Sequence, residues 1–279
     1  MIEMPKQLEA MLAPTLRTGE YIGEDGLIHC TSCRGRRQAM VTVGDRTIYP
    51  RVLCACQRVA EDARKQTEKI VELRDKIQRN RAIGLSEPQH RAYTFELDQG
   101  YNPELMGKAR RYAENWEQMY GKGMGLLIWG DVGTGKSFAA GCIANALLDR
   151  GISVMMTNFS RILNALSSLQ WGDRNQYIDN LNQYSLLIID DLGIERGTEY
   201  VLEQVYSIID SRYRSGKPLI ITTNLSLKEM KEPCNVTYAR IYDRVLERCV
   251  PVHVTGQNIR EQKSAENIRT AREMLCGET

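Results

Sequence analysis

The chain has 279 residues, room for one ordinary domain plus a small accessory module. Hydrophobic residues make up 42% and charged residues 26%, a balance that excludes an intrinsically disordered polymer. Net charge is only +2, yet Leu27 to Ala92 carry 14 Lys/Arg against 7 Asp/Glu, a net +7, and the remainder 23 against 28, a net −5. The basic segment points to an acidic partner, nucleic acid or a protein face, or to a solvated helix face.

No run of about 18 apolar residues occurs, so no membrane-spanning helix is expected. The opening MIEMPKQLEAMLAP is acidic and lacks an uninterrupted apolar core, which argues against a signal peptide. A cytoplasmic location follows as the expectation, and with it thiols rather than disulfides for the eight cysteines. The expected organisation is an N-terminal segment (1–26), a zinc-binding module (27–58), a charged helical linker (59–85), an ATP-binding domain (86–262) and a C-terminal tail (263–279).

Cys30 and Cys33 form a Cys-x2-Cys pair, and Cys54 and Cys56 a Cys-x-Cys pair. Two short-spaced thiol pairs can close a tetrahedral zinc shell, because each bends its backbone around one side of the ion. Gly35 suits the tight turn after the first pair, and His29 is the substitute if one cysteine does not ligate. MVTVGDRTIYP alternates around Gly44-Asp45 and reads as a β-hairpin that carries the second pair toward the first. A module this short buries little apolar area, so zinc would contribute on the order of 10 kcal/mol to its folding. Four cysteines leave no open position, so the metal is structural. Cys142, Cys234, Cys249 and Cys276 are scattered and read as small apolar residues.

Gln57 to Arg81 contain neither Gly nor Pro. Val59, Ala63, Ile70, Leu73 and Ile77 form a four-then-three stripe, interrupted by Gln66, on a charged helix that docks on a partner or folds back. Gly84 and Pro88 suggest a boundary. From Phe95 onward, short apolar runs alternate with helical stretches. The runs Leu126–Trp129, Ile152–Met156, Leu186–Ile189, Leu219–Thr222 and Val250–Val254 are nearly continuous, as strands buried on both faces of a parallel sheet are. Helices are expected at Ser137–Asp149, in one or two pieces from Ser160 to Gln183, at Glu199–Arg214 and at Val236–Glu247. The fold class is therefore an α/β three-layer sandwich with a five-stranded sheet.

GLLIWGDVGTGKSFAAG runs strand, glycine-rich loop, helix. Gly130, Asp131, Val132, Gly133, Thr134, Gly135, Lys136 and Ser137 match the complete P-loop pattern. Glycines let backbone N–H groups wrap phosphates at a helix N-terminus. Lys136 would reach the β- and γ-phosphates of ATP and the Ser137 hydroxyl would ligate Mg²⁺. In LLIIDDLG, a strand delivers Asp190 to its C-terminal edge as a second Mg²⁺ group, and Asp191 to orient or deprotonate the attacking water.

These motifs, with LIITTN and RIYDRVLERC, resemble the bacterial helicase loaders of the DnaC/DnaI type, within the AAA+ ATPases that include the transposition helper IstB. The resemblance covers Thr94 to about Gln262; the zinc module resembles loader N-terminal domains more loosely. It implies strand order 5-1-4-3-2. It also implies Asn224 as the sensor-1 group, Arg244 as an arginine finger with Arg240 as its alternative, and Arg260 as the sensor-2 arginine. Asp191 stands where many AAA+ proteins have Glu, and Glu195 is a weak substitute for it. The implied activity is ATP hydrolysis coupled to loading a hexameric replicative helicase onto single-stranded DNA. Self-association through finger interfaces and an initiator protein complete the expected partners. A transposition helper and a non-catalytic nucleotide-gated adaptor are the alternatives. Trp171, Arg174 and Tyr177 are the nearest basic-aromatic cluster for DNA, although a core or surface role suits them better.

Overall fold

The computed structural model describes residues 15–85, 87–193, 199–233 and 235–276. The chain divides into two compact units, Met1–Arg74 and Asp75–Thr279, and the division falls inside one long helix, α1 (Ala55–Gly84).

In the first unit, β1 (Glu20–Ile22) pairs antiparallel with β2 (Ile28–Cys30), and β3 (Val41–Val43) with β4 (Arg46–Ile48). The second pair is the expected hairpin, turning at Gly44-Asp45. Both its strands are exposed, so its apolar residues contribute little burial. Charge pairing substitutes for a core. The Glu20 carboxylate, 2% exposed, accepts from Arg51 at 2.7 Å, lies 3.3 Å from Arg37 and accepts from the Arg17 amide at 2.8 Å. Helix α1 begins at the second cysteine pair, and its Val59, Ile70 and Leu73 remain exposed.

The second unit is a three-layer sandwich. Strands β5 (Gly125–Gly130), β6 (Val154–Asn158), β7 (Leu186–Leu192), β8 (Leu219–Thr223) and β9 (Cys249–Val254) lie in the order β6-β7-β8-β5-β9, every pairing parallel. Counted from the first core strand this is 5-1-4-3-2, as expected. Alternate residues serve opposite faces. Leu126, Ile128, Ile188 and Ile220 pack with α5 (Lys136–Asp149) and α3 (Pro103–Glu114). Leu127, Leu187, Ile189 and Ile221 pack with α6 (Phe159–Ser168), α8 (Glu199–Arg214) and α10 (Val236–Arg248). Both faces are covered, which is why the strands read as unbroken apolar runs.

Several elements depart from expectation. Gly84 and Leu85 belong to the core rather than to a linker: Leu85 is fully buried and bridges to Met156, and a Cβ on Gly84 would stand 1.9 Å from the Val154 carbonyl oxygen. Residues 259–276 form one helix, α11 (Ile259–Cys276), which runs across the expected boundary at 262. Arg212 is 1% exposed and donates to the Tyr184, Ser185 and Pro218 carbonyls, tying the N-terminal ends of β7 and β8 together. Tyr177 packs on the core and Arg174 donates to the Tyr200 hydroxyl at 2.8 Å, so these two serve the fold; nothing is assigned to the Trp171 side chain. Glu195 and Cys234 lie outside the described residues.

Candidate active site

The P-loop leaves β5 at Gly130 and enters α5 at Lys136. Two of its glycines have no substitute. Gly130 has φ +142° and a Cβ there would stand 2.1 Å from the Val254 carbonyl oxygen; Gly133 has φ +78° and its Cβ would stand 1.9 Å from Asn258 Oδ1. Thr134 Oγ1 donates to the Asp131 carbonyl at 2.8 Å and stiffens the loop. Lys136 Nζ donates to the Gly130 and Asp131 carbonyls at 2.8 and 2.6 Å. Burial pulls this ammonium below the ordinary lysine value, and Asp191, Asp131 and Asp190 act in the opposite direction.

Asp190 and Asp191 sit in an irregularity of β7. Ile189 pairs with Ile221 but Leu192 pairs with Thr223, so two aspartates oppose the single residue Thr222. This is the geometry of a β-bulge, which re-aims side chains at strand ends. Asp191 takes φ +63°, a left-handed conformation that Asp tolerates better than most residues. Thr222 braces both: its hydroxyl donates to Asp190 Oδ1 and accepts from the Asp191 amide at 2.9 Å. Burial, then the neighbouring Asp190, raise the Asp191 carboxyl above the usual aspartate value. Asn224 Nδ2 stands 3.5 Å from Asp191 Oδ1.

A cleft of about 230 Å³ gathers Lys136, Ser137, Asp191 and Asn224, whereas Asp190 is not among its lining residues. Its phosphate end is Val132 to Ser137 with Asp191, Asn224 and Arg260; the rest is lined by Tyr93, Leu97, Tyr101, Leu105 and Met106 together with the polar Asp98, Gln99 and Asn102. Arg260 arrives on the first turn of α11. Asn258 Oδ1 caps that turn by accepting from the Arg260 amide at 3.1 Å, and the Ile259 amide donates to the Gly133 carbonyl at 2.9 Å. Lys263 lies 5.8 Å over the Tyr101 ring. Arg240 and Arg244 do not line this cleft. Arg240 is exposed, while Arg244 donates from Nε to Asp210 Oδ1 at 2.6 Å. Sequence reasoning missed Thr222, Asn258 and the lining from Tyr93 to Met106. The ITTN tetrad contains Thr222, but nothing in its spacing marks it as a brace.

The oxygen donors Ser137 and Asp190, beside a phosphate loop, suit Mg²⁺. In the first unit, the sulfurs of Cys30, Cys33, Cys54 and Cys56 all lie within 4.8 Å of one another, a donor set and spread that fit tetrahedral zinc. Amides of the turn draw two thiols down: those of Cys56 and Gly35 bring Cys33 to about 6, and those of Cys33 and Ser32 lower Cys30. The left-handed residue of this knuckle is Arg34, φ +55°, not Gly35. Gly35 is instead a close-packing position, where a Cβ would stand 3.4 Å from the Cys33 sulfur. His29 is no substitute ligand, because its ring nitrogens engage Asp25 Oδ1 at 2.9 Å and the Arg34 carbonyl at 3.1 Å.

A parallel five-stranded sheet with a P-loop after one strand and an acidic pair near the end of another defines a P-loop nucleotide-binding protein. The profile of the IstB-like ATP binding protein family matches residues 118–267, and the chain belongs to that family. The chain is 29% identical over 167 residues to the replicative helicase loader DnaC of Escherichia coli, covering 57% of this chain and 64% of that one. It is 29% identical over 151 residues to the replicative helicase loader DnaI of Bacillus subtilis, covering 50% and 49%. It is also 29% identical over 203 residues to an ATP-binding protein of an insertion sequence in Mycobacterium tuberculosis, covering 68% and 78%. The match thus spans about half to two thirds of the two loaders' own lengths. Among solved structures, DnaI superposes with a TM-score of 0.52 at 24% identity, over 61% of this chain and 94% of that one. The DnaC helicase loader gives 0.52 at 22%, over 61% and 100%. These likenesses show the fold.

Proposed function

We propose that this protein is an ATP-dependent loader that binds a hexameric replicative helicase and delivers it to single-stranded DNA. The observation that carries the ATPase half is the convergence of Lys136, Ser137, Asp191, Asn224 and Arg260 on one cleft. The loader half is supported by kinship with two proteins named as replicative helicase loaders.

In this reading the P-loop amides and Lys136 hold the β- and γ-phosphates. Ser137 and Asp190 would hold Mg²⁺, which would neutralise phosphate charge when bound. Asp191 accepts the proton of the attacking water, and its raised carboxyl is the better base for that task. Asn224, within reach of Asp191, aligns that water against the γ-phosphate. Arg260 contacts the phosphates from its own subunit, and Arg244 supplies the finger to a neighbouring one. The first unit, held by a structural zinc, grips the helicase.

The test is co-elution of the full-length chain with a hexameric replicative helicase in ATP, followed by transfer of the helicase to a fluorescent single-stranded oligonucleotide. Absence of any complex would sink the loader reading while leaving the ATPase intact. A second reading, a transposition helper, is supported by the longer match to the insertion-sequence protein. ATP-dependent stimulation of a transposase without helicase binding would favour it.

A further inference from the structure

Asp210, on α8, is 9% exposed and holds two arginines, one on each carboxylate oxygen. Arg244 donates from Nε to Oδ1 at 2.6 Å, and Arg214 from Nε to Oδ2 at 2.8 Å. The grip on Arg244 is through Nε alone. Among the described residues its terminal nitrogens reach uncharged acceptors, the Tyr206 hydroxyl at 3.0 Å and the Arg240 carbonyl at 3.3 Å. A phosphate oxygen replaces such partners readily, because a charge-assisted bond is about twice as strong as a neutral one. Aromatic rings lie against the guanidinium, Tyr206 at 4.9 Å and Tyr213 at 5.6 Å from the ring centres, and Tyr213 is itself held by Glu247. The Arg244 side chain keeps 22% of its exposure. One carboxylate thus fixes the stem-side nitrogen and leaves the fork on replaceable partners.

We infer that Asp210 is a positioning residue for Arg244, setting the guanidinium that one copy of this chain offers to the ATP bound by a second copy. This rests on the finger role proposed for Arg244. Arg214 is part of the arrangement. Its Nε occupies the Asp210 oxygen that Arg244 leaves free, so a second bond from Arg244 to that oxygen would have to share it. A plain strut between α8 and α10 would use the same contacts but would have no effect on a neighbouring subunit's site.

The experiment measures ATP turnover of the full-length chain against its own concentration. Asp210→Ala should lower kcat in the assembled state by about tenfold or more, a fraction of the 10³–10⁵ that a finger contributes. Affinity for a fluorescent ATP analogue and KM should stay within about twofold, since Asp210 touches no nucleotide. Asp210→Asn keeps an acceptor for Nε and should recover most of the loss. The decisive arm mixes subunits. Lys136→Ala chains cannot hold the phosphates but retain the Asp210–Arg244 pair; added to Asp210→Ala chains, whose P-loops are intact, they should raise turnover above the sum of the two alone. Unchanged kcat in Asp210→Ala overturns the inference, and so does a loss that mixing fails to restore. If Arg244→Ala turns over normally when assembled, the finger reading itself falls and takes this inference with it.

Discussion

Gly133→Ala tests how tightly the P-loop and the first turn of α11 are coupled. A residue with a Cβ costs about 1–2 kcal/mol in the left-handed conformation that φ +78° demands. The new Cβ would stand 1.9 Å from Asn258 Oδ1, so that amide must swing away and release the Arg260 and Glu261 backbone N–H groups it caps. Loss of such a cap costs about 1 kcal/mol. The loop can relax both costs locally until ATP requires the wrapped geometry, so they should appear in affinity rather than in global stability. Together they amount to about 2–3 kcal/mol, or roughly 30- to 150-fold in Kd. The assay is titration with a fluorescent ATP analogue, with circular dichroism confirming the retained fold. Asn258→Ala removes the clash, so the double variant should lose less than the sum of the two singles, with coupling near 1 kcal/mol. Binding of Gly133→Ala within about threefold of the parent chain, or a strictly additive cycle, would refute the reasoning.

Three further outcomes follow from the same geometry. The Asp191 carboxyl is raised by burial and by Asp190, so its charged form is disfavoured in the fold; its destabilising contribution is present above the raised pKa and fades as pH falls through it. Asp191→Asn should therefore raise Tm at neutral pH while abolishing turnover, and the acid limb of the parent kcat profile should lie above the ordinary aspartate range. A lower Tm for Asp191→Asn would contradict this. Cys54→Ala should reduce metal content from one zinc per chain to near zero by elemental analysis and render residues 15–74 protease-sensitive, because a structural zinc contributes on the order of 10 kcal/mol; retention of a full equivalent would count against the tetrathiolate. Arg212→Met should strand carbonyls of Tyr184, Ser185 and Pro218 in the interior, costing about 3 kcal/mol and lowering Tm by roughly 6–12 °C in a thermal melt.

The core strands were legible because both sheet faces are covered: a strand such as Leu186–Ile189 has no wet side, and its sequence has no polar alternation to blur it. The P-loop was legible because each glycine answers a local steric demand. The bulge at Asp190-Asp191 was not, since the two-against-one register depends on Thr222 in a strand more than 30 residues away. Nor was the position of Leu85. One apolar residue between a charged helix and a proline carries no periodicity, and its place in the core shows only in its bridge to Met156 and its packing in the sheet's hydrophobic cluster. The turn at Cys30–Cys33 misled for another reason. Glycine is the usual left-handed residue, but here Arg34 takes that conformation, with its amide bonded to the Cys30 carbonyl at 2.9 Å, and Gly35 answers a packing demand.

The cleft is assembled from five separate lengths of chain, around residues 93–106, 132–138, 191, 224 and 259–263, and this bears on why Arg260 belongs to it. The P-loop alone has the means to hold phosphate, but its Gly133 carbonyl also accepts from the amide of Ile259, the first residue of α11. Asn258 closes the same joint from the side-chain direction, standing where a Cβ on Gly133 would be. Arg260 is therefore placed by the loop it serves, two residues from the contact, and Lys263, one turn further on, comes over Tyr101. A change in loop conformation on phosphate binding has a direct hydrogen-bonded route to α11. Any coupling of nucleotide state to residues 259–276 should accordingly run in part through Asn258 and weaken when that side chain is cut back to alanine, the Ile259–Gly133 backbone bond carrying the remainder.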